Sequence, residues 1–318
     1  MKIDPFILLL LALVAMAWAA PEVGVAGSRV NPSEVASWGV VGVFFFYGLK
    51  LSPQQWRAGL SNFRLHALVQ LSTFLLFPLL ILLVMPHHSP SMVWVGVFFV
   101  AALPSTVSSS VVMVSMARGN VAAAIFNASL SSLLGVVLTP LWMSLFISAD
   151  MGGAPIGSVV VKLCLQVLLP VAAGMFCNRY WGLWAQGHGH ALRIFDQAVI
   201  LSIVYTSFCE GFFSGVFGSV SWTTLLLLGA GMVALFFTVY LIIGGLCRWL
   251  HLSQKETTTA LFCGSKKSLV HGTVMSKIIV QDAATVSLLL LPIMIYHALQ
   301  LLIVSFLATR RAKNSTIA

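Results

Sequence analysis

The sequence predicts an all-α polytopic membrane protein: ten transmembrane helices as two inverted five-helix repeats, with the fourth and ninth helices broken and crossing. Three observations carry this expectation. Of 318 residues, 59% are hydrophobic and only 8% are charged, against about 25% charged in a soluble domain. Lysines and arginines alternate along the chain so that nearly all fall on one side of the apolar segments, the pattern produced when positive loops stay cytoplasmic. Two apolar segments, 91–117 and 253–281, are interrupted at their centres by groups that a continuous lipid-facing helix does not carry.

The first span is residues 1–20. Lys2, an apolar run and Ala17-Trp18-Ala19 would also suit a cleaved signal peptide. However, Asp4-Pro5 opens a helix as a cap and a first-turn proline do, and the repeat requires the segment, so it is read as retained. The other spans are 32–51, 65–85, 91–117, 121–147, 155–177, 191–213, 222–250, 253–281 and 283–309, each near or above the ~20 residues needed to cross about 30 Å of hydrocarbon. No stretch alternates with the period of two that a membrane β-barrel requires.

With the N-terminus placed in the cytoplasm, the inner side collects Lys2, Lys50, Arg57, Arg64, Arg118, Arg179, Arg193, Arg248, Lys255, Arg310, Arg311 and Lys313. The outer side has Arg29 alone, and Lys162, Lys266, Lys267 and Lys277 lie within or at the edges of spans. Both termini are therefore expected to be cytoplasmic. The net charge of +9 is spread over inner loops, which argues against nucleic acid as a partner. Five scattered cysteines without CxxC spacing read as packing residues; no metal site and no cofactor is expected. The tryptophans mostly flank span ends, as interface anchors do, against membrane lipid.

The fourth span carries Ala102-Leu103-Pro104-Ser105-Thr106-Val107-Ser108-Ser109-Ser110 at its middle. Proline removes a backbone donor and clashes with the preceding turn, and a run of Ser and Thr can satisfy the groups so freed. The ninth span carries Gly264-Ser265-Lys266-Lys267-Ser268. The flanks of the lysine pair are too short to be separate spans, so both charges lie near the midplane, where each costs roughly 2.5–3.5 kcal/mol on insertion scales. They must face protein or water.

The two interrupted spans are five apart, an odd number, so they run in opposite directions, and Pro292 in the tenth span mirrors Pro140 in the fifth. Paired broken helices in two halves are the signature of a secondary transporter whose site lies where they meet. The candidate substrate- or ion-binding residues are Pro104, Ser105, Thr106, Ser108, Ser109 and Ser110 from one crossover, and Ser265, Lys266, Lys267 and Ser268 from the other. Asn127 on the fifth span and His271, four residues beyond Lys267, join them. Ser129, Ser131 and Ser132 are candidate walls. Asp196 and Glu210, at opposite ends of the seventh span, are candidate gates.

Leu103-Pro104 through Ser110, Ala117-Arg118-Gly119-Asn120, Ala122 to Asn127, Thr139-Pro140 and Phe262 to Leu269 together resemble the bile acid:sodium symporter family, in its sodium/bile acid cotransporter 7-like branch. The resemblance implies a panel of spans 1, 2, 6 and 7 (1–60 and 155–218) and a core of spans 3–5 and 8–10 (61–154 and 219–309), with a cytoplasmic tail at 310–318. It also implies a small solute bound between panel and core, alternating access, and the inner (plasma) membrane of a bacterium.

The departures from the family pattern bear on coupling. Where sodium-coupled members look like Glu-x-Gly-x-Gln-Asn-Ser, this chain has Phe262 for the Glu, Lys266 for the Gln and Lys267 for the Asn. Sodium wants a cage of oxygens, and unit charges about 4 Å apart at an effective dielectric of ~20 interact by about 4 kcal/mol, so two ammonium groups oppose it. Three readings of the lysines stay open. An ammonium stands in for sodium at the half-helix ends; or a lysine contacts an anionic solute or cycles a proton; or both are structural. The function expected is secondary transport of a small organic, anionic solute, with protons or sodium as the coupling ion. The alternatives are a sodium-coupled symporter like other family members and, in a different class, a Ser/Lys intramembrane hydrolase needing a serine within ~3 Å of a lysine.

Overall fold

The computed structural model describes residues 5–25, 32–50, 62–86, 91–146, 156–280 and 282–314. Lys2, Asp4, Arg29 and Arg57 of the sequence argument lie outside the described residues, as do the side chains of Ser108 and Lys313. Every regular element among the described residues is helical. Apart from two single turns, Glu22–Val25 and Val216–Ser219, these are in chain order α1 (Pro5–Ala19), α2 (Pro32–Lys50), α3 (Phe63–Val84), α4 (Met92–Ala102), α5 (Ser108–Met116), α6 (Val121–Met143), α7 (Ile156–Leu163, a π-turn Cys164–Leu168, then Leu169–Gly187), α8 (Gly189–Phe213), α9 (Trp222–Trp249), α10 (Gln254–Gly264), α11 (Leu269–Ile279) and α12 (Ala283–Asn314). By length and composition α3, α6, α7, α8, α9 and α12 can each cross a membrane, and α1, α2 and α4 contain shorter apolar helices.

Both interruptions read from the sequence are present: α4 stops at Ala102 and α5 starts at Ser108, and α10 stops at Gly264 and α11 starts at Leu269. The sixth span runs farther than expected. The sequence suggested a connection after Cys177, but α7 continues to Gly187 and only His188 separates it from α8. Nothing between Cys177 and Gly187 breaks a helix. Asn178 Nδ2 donates to Leu49 O at 2.6 Å, and Trp184 stacks on His188 with ring centroids 4.7 Å apart.

The chain forms two compact units. The first comprises Met1–Ser52, Ser144–Ser221 and Thr273–Leu291. Within it α2 and α7 meet at backbone distance: a Cβ on Gly48 would lie 2.1 Å from Val171 O, and one on Gly174 2.1 Å from Phe45 O. Small residues facing each other are how membrane helices gain close packing without a hydrophobic driving force. Asp282 caps α12 in this unit, its Oδ2 accepting from Thr285 N at 2.7 Å and Thr285 Oγ1 at 2.5 Å.

The second unit comprises Pro53–Met143, Trp222–Gly272 and Pro292–Ala318. Its helix ends are capped and cross-tied. Asn62 accepts from Leu65 N to cap α3 and donates through Nδ2 to Glu256 Oε1, while Glu256 and Ser253 form a capping box on α10. Arg118, at φ +56°, ends α5, with Gly119 N donating back to Val114 O at 2.8 Å, a Schellman closure. Asn120 N then donates to Thr259 Oγ1 at 2.9 Å, and Asn120 Oδ1 caps α6 by accepting from Ala123 N. Inside the unit, Gly135 lets α6 approach the α4 break: a Cβ there would lie 2.8 Å from Pro104 Cβ and Cγ.

Two outcomes follow. Gly135→Val should force Pro104 aside and destabilise the purified protein by about 1–3 kcal/mol, whereas Gly229→Ala, with open space around it, should be neutral or stabilising; thermal melting in detergent distinguishes them. The Thr285 side-chain hydrogen bond, outweighing partial burial, holds the Asp282 carboxyl below its ordinary range. A depressed carboxyl contributes stability above its unfolded pKa and loses it as pH falls through the folded one. Asp282→Ala should therefore cost about 0.5–1 kcal/mol for this exposed cap. The gap to the parent should be constant at neutral pH and close only under about pH 4.

Candidate functional site

Pro104 has no N–H, so the ladder of α4 ends with the N–H of Leu103, and the last carbonyls of a helix are orphans unless something else serves them. Each here has a donor. Leu103 N reaches Phe99 O at 3.1 Å and Val100 O at 3.3 Å. Ala101 O and Leu103 O accept from Lys267 Nζ at 2.6 and 2.8 Å. Ala102 O accepts from Thr139 Oγ1 at 2.8 Å, and Pro104 O from Ser268 N at 2.9 Å. Ser105 N, which an unbroken helix would direct at Ala101 O, donates instead to Ser131 Oγ at 2.9 Å.

The third donor of Lys267 goes to Thr73 O at 2.7 Å. That carbonyl is free because α3 contains a π-turn, Ser72–Leu76, in which Phe77 N donates to Ser72 O, five residues back. The next residue is Pro78, which has no N–H, so neither usual donor reaches Thr73 O. The same proline leaves Phe74 O to accept from Trp142 Nε1 at 2.8 Å. The Phe77 ring lies 4.1 Å from Lys267 Nζ, a cation–π contact. An ammonium has three donors and no acceptor; here all three are used, and every acceptor is a carbonyl.

The neighbouring lysine leaves the backbone in another direction. Lys266 Nζ donates to Ser109 Oγ at 2.7 Å, and Thr106 Oγ1 lies 2.9 Å from both Ser109 Oγ and Ser110 Oγ. Ser109 Oγ is its one hydrogen-bond acceptor among the described residues. Both lysines are 0% exposed.

Four carbonyls at the α10–α11 break take side-chain donors in return. Ser105 Oγ donates to Cys263 O at 2.6 Å, Ser265 Oγ to Leu261 O at 2.6 Å, and Tyr296 OH to Ser265 O at 2.7 Å. Gln300 clasps the lysine backbone: its Oε1 accepts from Lys267 N at 2.9 Å and its Nε2 donates to Lys267 O at 2.8 Å. Ser268 Oγ caps α11 by accepting from His271 N at 3.3 Å, and it lies 2.9 Å from His271 Nδ1.

The crossover residues singled out from sequence are thus brought together, with Ser108 opening α5 and its side chain outside the described set. His271 pairs with Ser268. Asn127 is fully buried, but its side-chain partners are Ala123 O and Gln70 Nε2. Asp196 belongs to the first unit, 3.6 Å from Lys50 Nζ, and Glu210 lies farther along the same helix. Among the described residues no cluster of His, Cys, Asp and Glu could hold a metal. Thr73, Phe77, Pro78, Tyr296 and Gln300 were not anticipated. Tyr296 and Gln300, four apart in an apolar span, were a legible signal of a shared polar face.

Lys266 and Ser109 meet the distance a nucleophile–base dyad needs, so the class of the protein has to come from elsewhere. Residues 4–313 match the SBF-like CPA transporter family. The chain is 39% identical to the uncharacterized protein PA2026 of Pseudomonas aeruginosa, covering 98% of this chain and 93% of that one. It is 36% identical to the putative symporter YfeH of Escherichia coli, over 99% and 94% of the two. With sodium/bile acid cotransporter 7 of Mus musculus the identity is 30%, over 95% and 90%. These relatives remove the hydrolase alternative: the chain is a multi-pass membrane transporter and belongs to the SBF-like CPA transporter family, the bile acid:sodium symporter family.

Proposed function

We propose that the protein moves a small organic anion across the bacterial inner membrane by alternating access, with Lys267 permanently in the role of the family's crossover sodium. Its ten spans form two inverted repeats with both termini cytoplasmic. The panel is 1–60 and 155–218 and the core is 61–154 and 219–309. In support of that outline, residues 1–52 and 144–221 group in one compact unit and residues 53–143 and 222–272 in the other, while residues 273–291 group with the first and 292–318 with the second. Lys267 supports the first half of this reading: three carbonyls at helix ends and a ring face surround its ammonium, a setting that would suit a bare monovalent cation.

The observation that carries the choice of an anion is Lys266. It is a fully buried side chain whose Nζ has one hydroxyl acceptor, so as an ammonium it has two donors left for a solute. It points at the second residue of α5, where the half-helix N-terminus adds unpaired N–H groups and a positive partial charge. Thr106, Ser109 and Ser110 supply hydroxyls that can donate to carboxylate, sulfonate or phosphate oxygens.

A second reading, sodium-coupled symport, is favoured by the name of the cotransporter relatives. Thermal shift of the purified protein against small carboxylates, sulfonates and phosphates, in sodium and in potassium, separates the two. An anion at 100 times its Kd should add about 2.7 kcal/mol of stability equally in both salts, and the gain should be lost in Lys266→Gln. Stabilisation specific to sodium would establish the second reading instead.

The two lysines should also part company in stability. Lys267→Met leaves three buried carbonyls unserved at about 1–3 kcal/mol each, so its melting should collapse by at least ~3 kcal/mol. Lys266→Met removes a buried charge with a single partner and should melt at or above the parent. Equal losses in both variants would end the division of roles.

A further inference from the structure

The two adjacent ammonium groups differ in the kind of atom that holds them, and the difference sets which one can change its charge. Carbonyl oxygens only accept. Three of them around Lys267 Nζ require three N–H donors, so a neutral amine would turn a lone pair toward an oxygen and strand a buried acceptor. A hydroxyl accepts or donates. Ser109 Oγ can accept from Lys266 as an ammonium and donate to it as an amine. Thr106 Oγ1, within 2.9 Å of Ser109 Oγ and Ser110 Oγ, lets the whole hydroxyl chain reverse its hydrogen bonds when that happens.

We propose that Lys266 is the coupling-proton site of this transporter, loading and unloading one proton per cycle while Lys267 keeps its charge. The proposal rests on the anion reading of the same site. Lys266 takes a proton from water on the side of higher proton activity, and the ammonium holds the anion through its two open donors. On the other side the anion leaves, the ammonium gives its proton to water, and the neutral amine returns hydrogen-bonded to Ser109 Oγ. Only the N–H bond of Lys266 is made and broken, and one proton moves with one unit of negative charge. Among the described residues, the titratable groups at this break are Cys263 on α10, His297 on α12, Lys267 beside Lys266, and Tyr296 and His271, which bond to Ser265 and Ser268. None is a carboxylate that would hold Lys266 permanently as one half of an ion pair; Cys263 and His297 share its electrostatic environment.

The test is a 13Cε NMR titration of the full chain in nanodiscs with its eight lysines labelled, the two signals being assigned from Lys266→Arg and Lys267→Arg. The Lys266 signal should titrate reversibly within the physiological pH range while the Lys267 signal stays at the ammonium position. Ser109→Ala should shift the Lys266 midpoint, and Ser109→Thr should restore it, an outcome that loss of packing alone would not give. A Lys266 signal constant through that range, or a Lys267 signal titrating alongside it, overturns the proposal. If the Lys267 variant does not fold, the Lys266 signal is still assigned by its own variant. The titration needs no solute. A titrating Lys266 with no stabilising anion would therefore remove the anion reading alone, and a fixed Lys266 with a stabilising anion would remove the proton site alone.

Discussion

The arrangement of the second unit depends on how the end of α4 is satisfied. In a membrane, water is not available to an exposed carbonyl, so a helix that stops in mid-bilayer must find a donor for every group it strands. At this end two of the carbonyls take N–H donors from one ammonium, and the third donor of that ammonium reaches a carbonyl freed by a π-turn in α3. Lys267 thereby ties α3, α4 and the α10–α11 break to one atom. The tie is reciprocal, because Ser105, between α4 and α5, serves Cys263 O on α10, and Ser268, before α11, serves Pro104 O. Neither break can be remade as continuous helix without stranding groups in the other.

A tethered cation differs physically from a bound one. A sodium ion at a helix end loses translational entropy on binding and regains it on release, so its occupancy follows the gradient. An ammonium on a side chain is always at the same concentration. It can neutralise the negative ends of half-helices, but it cannot report the sodium gradient to the rest of the protein. In the proposed reading, the driving force must then enter through some other group whose charge changes between the two sides. The second lysine, one residue away and held by a hydroxyl, is the group so placed.

Much of this was legible in the residues. Pro104 with its Ser/Thr run and the paired lysines located both interruptions to within a residue or two, because a missing N–H and a midplane charge have few structural solutions. The partners of the lysines were less legible. Thr73 looks like any small polar residue in an apolar span. Its role depends on its backbone oxygen, released only by the combination of a π-turn and Pro78, and backbone acceptors carry no side-chain signature. The continuation of α7 to Gly187 was missed for the opposite reason: the polarity of Asn178, Arg179 and Gln186 marked the end of the apolar stretch, and the end of an apolar stretch is not the end of a helix when nothing breaks it. Asn127 shows a further limit, since its place near the motif did not fix which way its amide turned.

The adjacency of the two lysines is itself informative. Had the ninth span been one continuous helix, residues 266 and 267 would differ by about 100° around a single axis. Their long side chains could then reach overlapping surroundings and repel in a medium of low dielectric. The break at 265–268 removes that constraint, because outside a helix successive side chains diverge strongly. One goes back to the carbonyl end of α4 and the other goes forward to the hydroxyl start of α5, so each of these two helices receives one lysine. The negative end of α4 favours its charge through the macrodipole as well as through hydrogen bonds, whereas the positive start of α5 disfavours a cation and favours an anion beside it. Lys266 is therefore the lysine whose charged form is left short of a partner, and in the proposed reading a solute anion completes it.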